Sequence, residues 1–218
     1  LGPFLNYYTA LGRYRQLKYL EESQSWQEYF DEGDKYRQQI SLSLDKALNG
    51  IDSQEPLYIY IKLLAWEFHK GMQDELSDPA LTGLMDSINA YAQGATKDFK
   101  PLKQVSDSLL ALGEKEKANQ VCKIYLDKII TAETSDEEVK KIALGFYEEG
   151  NAESAEMAYD IYLLRIEKYL PEKALPIFIE VAKAFAYKDE GIKDMQYAEK
   201  IFGKIDGLDK AGNAFDEE

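Results

Sequence analysis

The chain has 218 residues, 45% of them hydrophobic and 30% charged, with a formal net charge of −14. That is apolar material enough for a sizeable core, but too highly charged for an integral membrane protein. It also has the wrong sign for nucleic acid, whose binding needs clustered Lys and Arg.

Helical signals recur from end to end. The spacing of apolar residues predicts helices near 5–22, 24–31, 35–48, 56–70, 79–93, 101–112, 114–130, 136–149, 151–169, 171–187 and 192–205. Pro56, Pro79, Pro101 and Pro171 each stand just before an apolar run, where the first helical turn tolerates a missing N–H. Asp78 is expected to cap the helix that Pro79 opens, and Ser135 with Glu138 reads as a capping box. Breaks are expected at EEGD from Glu32, LGEKE from Leu112, EEGN from Glu148 and YKDEGIKD from Tyr187.

The most apolar stretch, LYIYIKLLAWEF over Leu57–Phe68, contains Lys62 and Glu67. It falls well short of the roughly 20 residues of a spanning helix, so no transmembrane segment is expected. The chain begins LGPF, which leaves room for an upstream signal or membrane anchor. Both the cytoplasm and, with a signal removed, the bacterial periplasm or cell envelope fit this composition. Residues 206–218 lack periodicity and read as a flexible tail or linker. With no useful β-alternation, the fold class is all-α. Short connections make successive helices antiparallel neighbours.

A repeat emerges in the second half. Placing Gly113 on Gly150, a step of 37 residues, puts Ala118 on Ala155, Leu109 on Phe146, Ser106 on Ala143, Leu102 on Val139 and Tyr125 on Tyr162. Downstream, Phe178, Ala182 and Phe185 repeat the spacing of Val139, Ala143 and Phe146, and Ala198 stands where Ala155 stood. A small residue on each helix lets two backbones approach, large residues one turn away fill the surroundings, and a glycine permits the left-handed turn between them. A lone hairpin cannot cover its own apolar faces, so such units stack.

This pattern resembles the tetratricopeptide repeat, most clearly over residues 102–205 and in degenerate form over 1–100. The resemblance implies one domain over 1–205, a solenoid of about ten or eleven helices in antiparallel hairpins. It also implies a non-catalytic scaffold that holds a protein or peptide, a second copy included, on its concave face. The first helix of each pair lines that face, which points to Lys103, Asp107 and Leu110, then Lys140, Leu144 and Tyr147, then Ile179 and Lys183. Lys103, Lys140 and Lys183 would form a basic ladder. Asp107 and Leu144 stand where the family's carboxylate-gripping members carry asparagine, so that clamp is not expected here.

Candidates for chemistry are few. His69 is the only histidine and Cys122 the only cysteine, so an internal disulfide and a His/Cys zinc site have no residues to build them. His69 closes an apolar helix and Cys122 occupies the packing position equivalent to Tyr159, which gives both structural roles. Paired carboxylates such as Glu148-Glu149 cluster at helix ends, where capping explains them. No catalytic residue, cofactor or metal is expected. The 16 tyrosines suggest a second possibility, a small-ligand or glycan binder of the bacterial envelope.

Overall fold

The computed structural model describes residues 2–23, 26–94, 98–187 and 193–215. Among them the protein is all-α, with ten helices and no strand. They are α1 (Gly2–Glu22), α2 (Trp26–Leu48), α3 (Pro56–Met72), α4 (Ser77–Gln93), α5 (Lys100–Ala111), α6 (Lys115–Ile129), α7 (Asp136–Glu148), α8 (Ala152–Ile166), α9 (Pro171–Tyr187) and α10 (Met195–Phe215). None is long and apolar enough to cross a membrane. The chain separates into two compact units, Leu1–Val121 and Cys122–Glu218, and the boundary falls within α6.

Three expected element ends differ. The EEGD break does not form: α2 runs through Gly33, and the guanidinium of Arg37, one turn on, lies 3.5 Å from where a Cβ would stand. A side chain there would make only ordinary contact, and Gly33 is a helix-interior residue, not a turn. Asp78 does not cap α4. The helix begins two residues earlier than expected, at Ser77, and the preceding turn is held by Asp74, whose Oδ1 accepts from the Leu76 N–H at 2.9 Å. α10 extends through Phe215, because Ile205 and Leu208 continue its apolar stripe against the core. Residues 188–192 of the YKDEGIKD break and 216–218 of the expected tail lie outside the described residues.

In the N-terminal unit α1 packs on α2 and α3 on α4. One core joins Ala10, Leu17, Ile40, Leu44, Leu57, Ile61, Leu64 and Phe68. Ser106 and Ala118, the small pair at the α5–α6 crossing, are both buried, and the Ser106 hydroxyl donates to the Ala118 carbonyl at 2.9 Å.

In the C-terminal unit α7 packs on α8 and α9 on α10. The four small residues Ala143, Ala155, Ala182 and Ala198 are all fully buried in one core. Phe185 is its aromatic centre, with Tyr147, Tyr159 and Tyr197 edge-on at ring-centroid distances of 5.1, 5.6 and 4.7 Å. Polar ties join first helix to first helix and second to second. Lys140 on α7 reaches Glu180 on α9, while Tyr197 and Lys200 on α10 reach Asp160 on α8.

The two aligned glycines behave alike. Gly113 and Gly150 have φ of +84° and +77°, the left-handed region that a Cβ disfavours. The Glu114 N–H donates to the Leu109 carbonyl and the Gly113 N–H to Leu110. One step on, Asn151 donates to Phe146 and Gly150 to Tyr147. Both are Schellman ends, in which the glycine lets the last carbonyls find donors. The capping box also forms: the Ser135 hydroxyl accepts from the Glu138 N–H, and the Glu138 carboxylate accepts from the Ser135 N–H. That bond is the main cause holding Glu138 below the usual carboxylate range.

Candidate functional site

In the C-terminal unit a cleft of about 570 Å³ lies between α7 and α9. α7 contributes Glu137, Lys140, Lys141, Leu144 and Tyr147. α9 contributes Glu180, Val181 and Ala184, with Tyr159 of α8 behind them. The helical period explains the lining. Lys140, Leu144 and Tyr147 stand four and three residues apart, and Glu180 and Ala184 stand four apart, so each set shares one helix face.

The cleft combines apolar surface with charges of both signs. Leu144 is 40% exposed, whereas Tyr147 is only 2% exposed and Val181 is buried. The Tyr147 hydroxyl donates to the Ala184 carbonyl at 2.7 Å, tying the two walls together. Burial keeps the Tyr147 phenol protonated at neutral pH and, with nearby carboxylates, pushes Tyr159 up to about 12. Lys140 and Glu180 form a second tie at 3.0 Å, and their hydrogen bond is the main cause raising the Lys140 ammonium pKa. Such a surface can hold apolar side chains and present charges to a bound segment. Its two phenols are protonated and packed, and do not supply a general base.

Of the residues expected on the inner face, Lys140, Leu144 and Tyr147 line this cleft together. Tyr147 belongs to its floor, with a hydroxyl already committed. Lys183 is exposed on α9, outside the lining, and Ile179 is 36% exposed. Lys103, Asp107 and Leu110 are half-buried on α5 in the N-terminal unit. Lys103 pairs with Asp107 at 3.1 Å, an i,i+4 ion pair. Two of the three lysines of the expected ladder are thus already neutralised by a carboxylate. Glu180, Val181 and Ala184 were missed from the sequence. The signal that could have found them is the step of about one repeat that separates each from its α7 partner.

The N-terminal unit carries a different opening, of about 470 Å³, lined by Phe4, Tyr7, Tyr8, Leu11, Glu55, Pro56, Leu57, Tyr60 and Gln104. Four of these nine residues are aromatic, and Glu55 is the one charged group among the described lining residues. Glu55 occupies the N-cap position of α3, yet its side chain makes no capping hydrogen bond.

His69 lies in the last turn of α3, with Nδ1 2.8 Å from Asp74 Oδ2 and its ring against Phe68. This dyad closes a turn. The residue after α3, Gln73, is left-handed at φ 53°, and the Asp74 N–H donates to the His69 carbonyl. Cys122 is buried in the core of the C-terminal unit. Among the described residues no three His, Cys, Asp or Glu side chains are grouped to hold a metal ion. No protein-family model, no curated protein and no solved structure matches the chain.

Proposed function

We propose that this chain is a non-catalytic interaction scaffold, built from stacked tetratricopeptide-like helical hairpins, that holds a peptide or protein segment in the cleft between α7 and α9. The observation that carries this reading is the placement of the cleft. The first helices of two successive hairpins form its walls, and an apolar floor runs beneath Glu137, Lys140, Lys141 and Glu180. Such a floor takes side chains by excluding water from them, at about 25 cal/mol per Å² of apolar surface. The mixed charges select register and partner more than they add affinity.

Leu144 separates binding from folding, because it lines the cleft while remaining 40% exposed. Peptides selected from a display library against the full chain are expected to lose at least about tenfold in affinity to Leu144→Arg, a loss within the range of interface hot spots. Lys183→Ala, outside the lining, is expected to leave affinity unchanged. Selection of no peptide, or of peptides that bind Leu144→Arg as they bind the parent, overturns the proposal.

A further inference from the structure

Outside the cleft, the opening in the N-terminal unit has a distinct chemistry. Its lining includes the aromatic side chains of Phe4, Tyr7, Tyr8 and Tyr60, beside Leu11, Pro56 and Leu57. Aromatic faces carry negative quadrupole potential, and several around one space attract an organic cation that sheds water easily. Lys and Arg do not occur among the described lining residues, and the one ionisable acid there is Glu55.

Glu55 is the sharper clue. At an N-cap a short polar side chain ordinarily accepts from the backbone of the first turn. Glu55 makes no such bond, and its side chain is exposed while lining the opening. The surrounding field has mainly the same sign. The carboxylates of Glu67 and Asp98 act on the Tyr7 and Tyr60 hydroxyls, while Arg15 opposes them at Tyr7. Burial, the leading cause, raises both phenols, so the rings remain neutral donors of π-density at physiological pH.

From this juxtaposition of four aromatic rings with an exposed Glu55 carboxylate, we infer that the pocket binds a small molecule bearing a methylated ammonium group. The inference is independent of the cleft between α7 and α9. A methylated ammonium has few or no N–H donors to satisfy, which suits a lining rich in aromatic rings. A pocket of about 470 Å³ has room for the cation and a short tail. A sugar would instead favour a flat platform. Tyr7 and Tyr8, with centroids 5.2 Å apart, are inclined at 66° and do not make one.

The test is calorimetric titration of the full chain with choline, with its neutral carbon isostere 3,3-dimethylbutan-1-ol, and with glucose. Choline is expected to bind saturably below roughly 10 mM, and the isostere at least about fivefold more weakly, as the cation–π contribution requires. Glu55→Gln and Tyr8→Ala are each expected to weaken choline by a similar factor. Both side chains are exposed, so circular dichroism should show an unchanged fold. Equal binding of the isostere reduces the site to an apolar hollow and overturns the inference. So does glucose binding in place of choline, the absence of choline binding, or binding indifferent to both substitutions.

Discussion

Gly150 and Gly145 stand five positions apart in the sequence, and the same substitution should act on them in opposite directions. Neither has a heavy atom within 4 Å of the place a Cβ would occupy, so space decides nothing. Conformation decides. Gly150 sits at φ +77°, where an L side chain costs about 1–2 kcal/mol. Gly145 lies inside α7, where alanine gains about 0.5–1 kcal/mol over glycine. Urea unfolding should therefore show Gly150→Ala destabilised and Gly145→Ala stabilised by about those amounts, with Gly150→Asn between Gly150→Ala and the parent. If Gly150→Ala proves neutral, the left-handed turn is not what ends α7. The turn was legible in the sequence because EEGN repeats the glycine of LGEKE at a fixed step. Gly33 carried the same composition, EEGD, without the same geometry. Glycine composition alone did not distinguish a turn from a glycine inside a continuous helix.

Among the elements, α8 and α10 are joined by a cluster of carboxylates and a buried phenol. Glu156 on α8 is pushed up to about 7, first by burial, then by its hydrogen bond with Asp194 at the start of α10, then by the charges of Asp194 and Asp160, with Lys200 opposing. Tyr197 closes the group, its hydroxyl within 3.2 Å of both the Glu156 carbonyl and Asp160 Oδ1. Its phenol is raised far above the usual range, chiefly by burial. An unfolded glutamate titrates near 4.5, so between that pH and about 7 the folded chain keeps a proton the unfolded chain has released. Stability from this group is complete below the lower value and is lost as pH rises through the higher one. The melting temperature is expected to fall between pH 5 and 8 for the parent chain, and Glu156→Gln is expected to flatten that part of the slope. Parallel curves for the two proteins would remove Glu156 as the cause. Apart from the false break at Gly33, the helices were readable from periodicity. The carboxylate contacts were not, because residues 37–41 positions apart meet only once the hairpins have packed. The same holds for the cleft: Lys140 and Leu144 could be placed on an inner face, but Glu180 became visible only with α9 beside α7.

At the scale of the molecule, the division at Val121 and Cys122 has a spectroscopic handle. Both tryptophans, Trp26 and Trp66, belong to the N-terminal unit, and Trp66 is fully buried. Tryptophan emission therefore reports on that unit, whereas far-UV circular dichroism reports helices in both. Two compact units with separate cores need not unfold in a single step. The two signals are expected to give non-coincident urea transitions, and coincidence would show that the units unfold as one. The repeat alignment, strongest after Leu102, did not announce this division. The 37-residue step continues through α6, and the boundary lies inside that continuous helix.

The matched ends of α5 and α7 also bear on the order in which the chain folds. Each reversal is closed by hydrogen bonds spanning at most five residues, such as Glu114 to Leu109 and Asn151 to Phe146. Closing so short a segment costs little chain entropy and happens within tens of nanoseconds once its helix exists. The ties between hairpins, Tyr147 to Ala184 and Tyr197 to Asp160, each span 37 residues and must wait for that local work. Each glycine thus sets the direction of the helix that follows before any distant partner arrives, and stacking joins hairpins that are already bent.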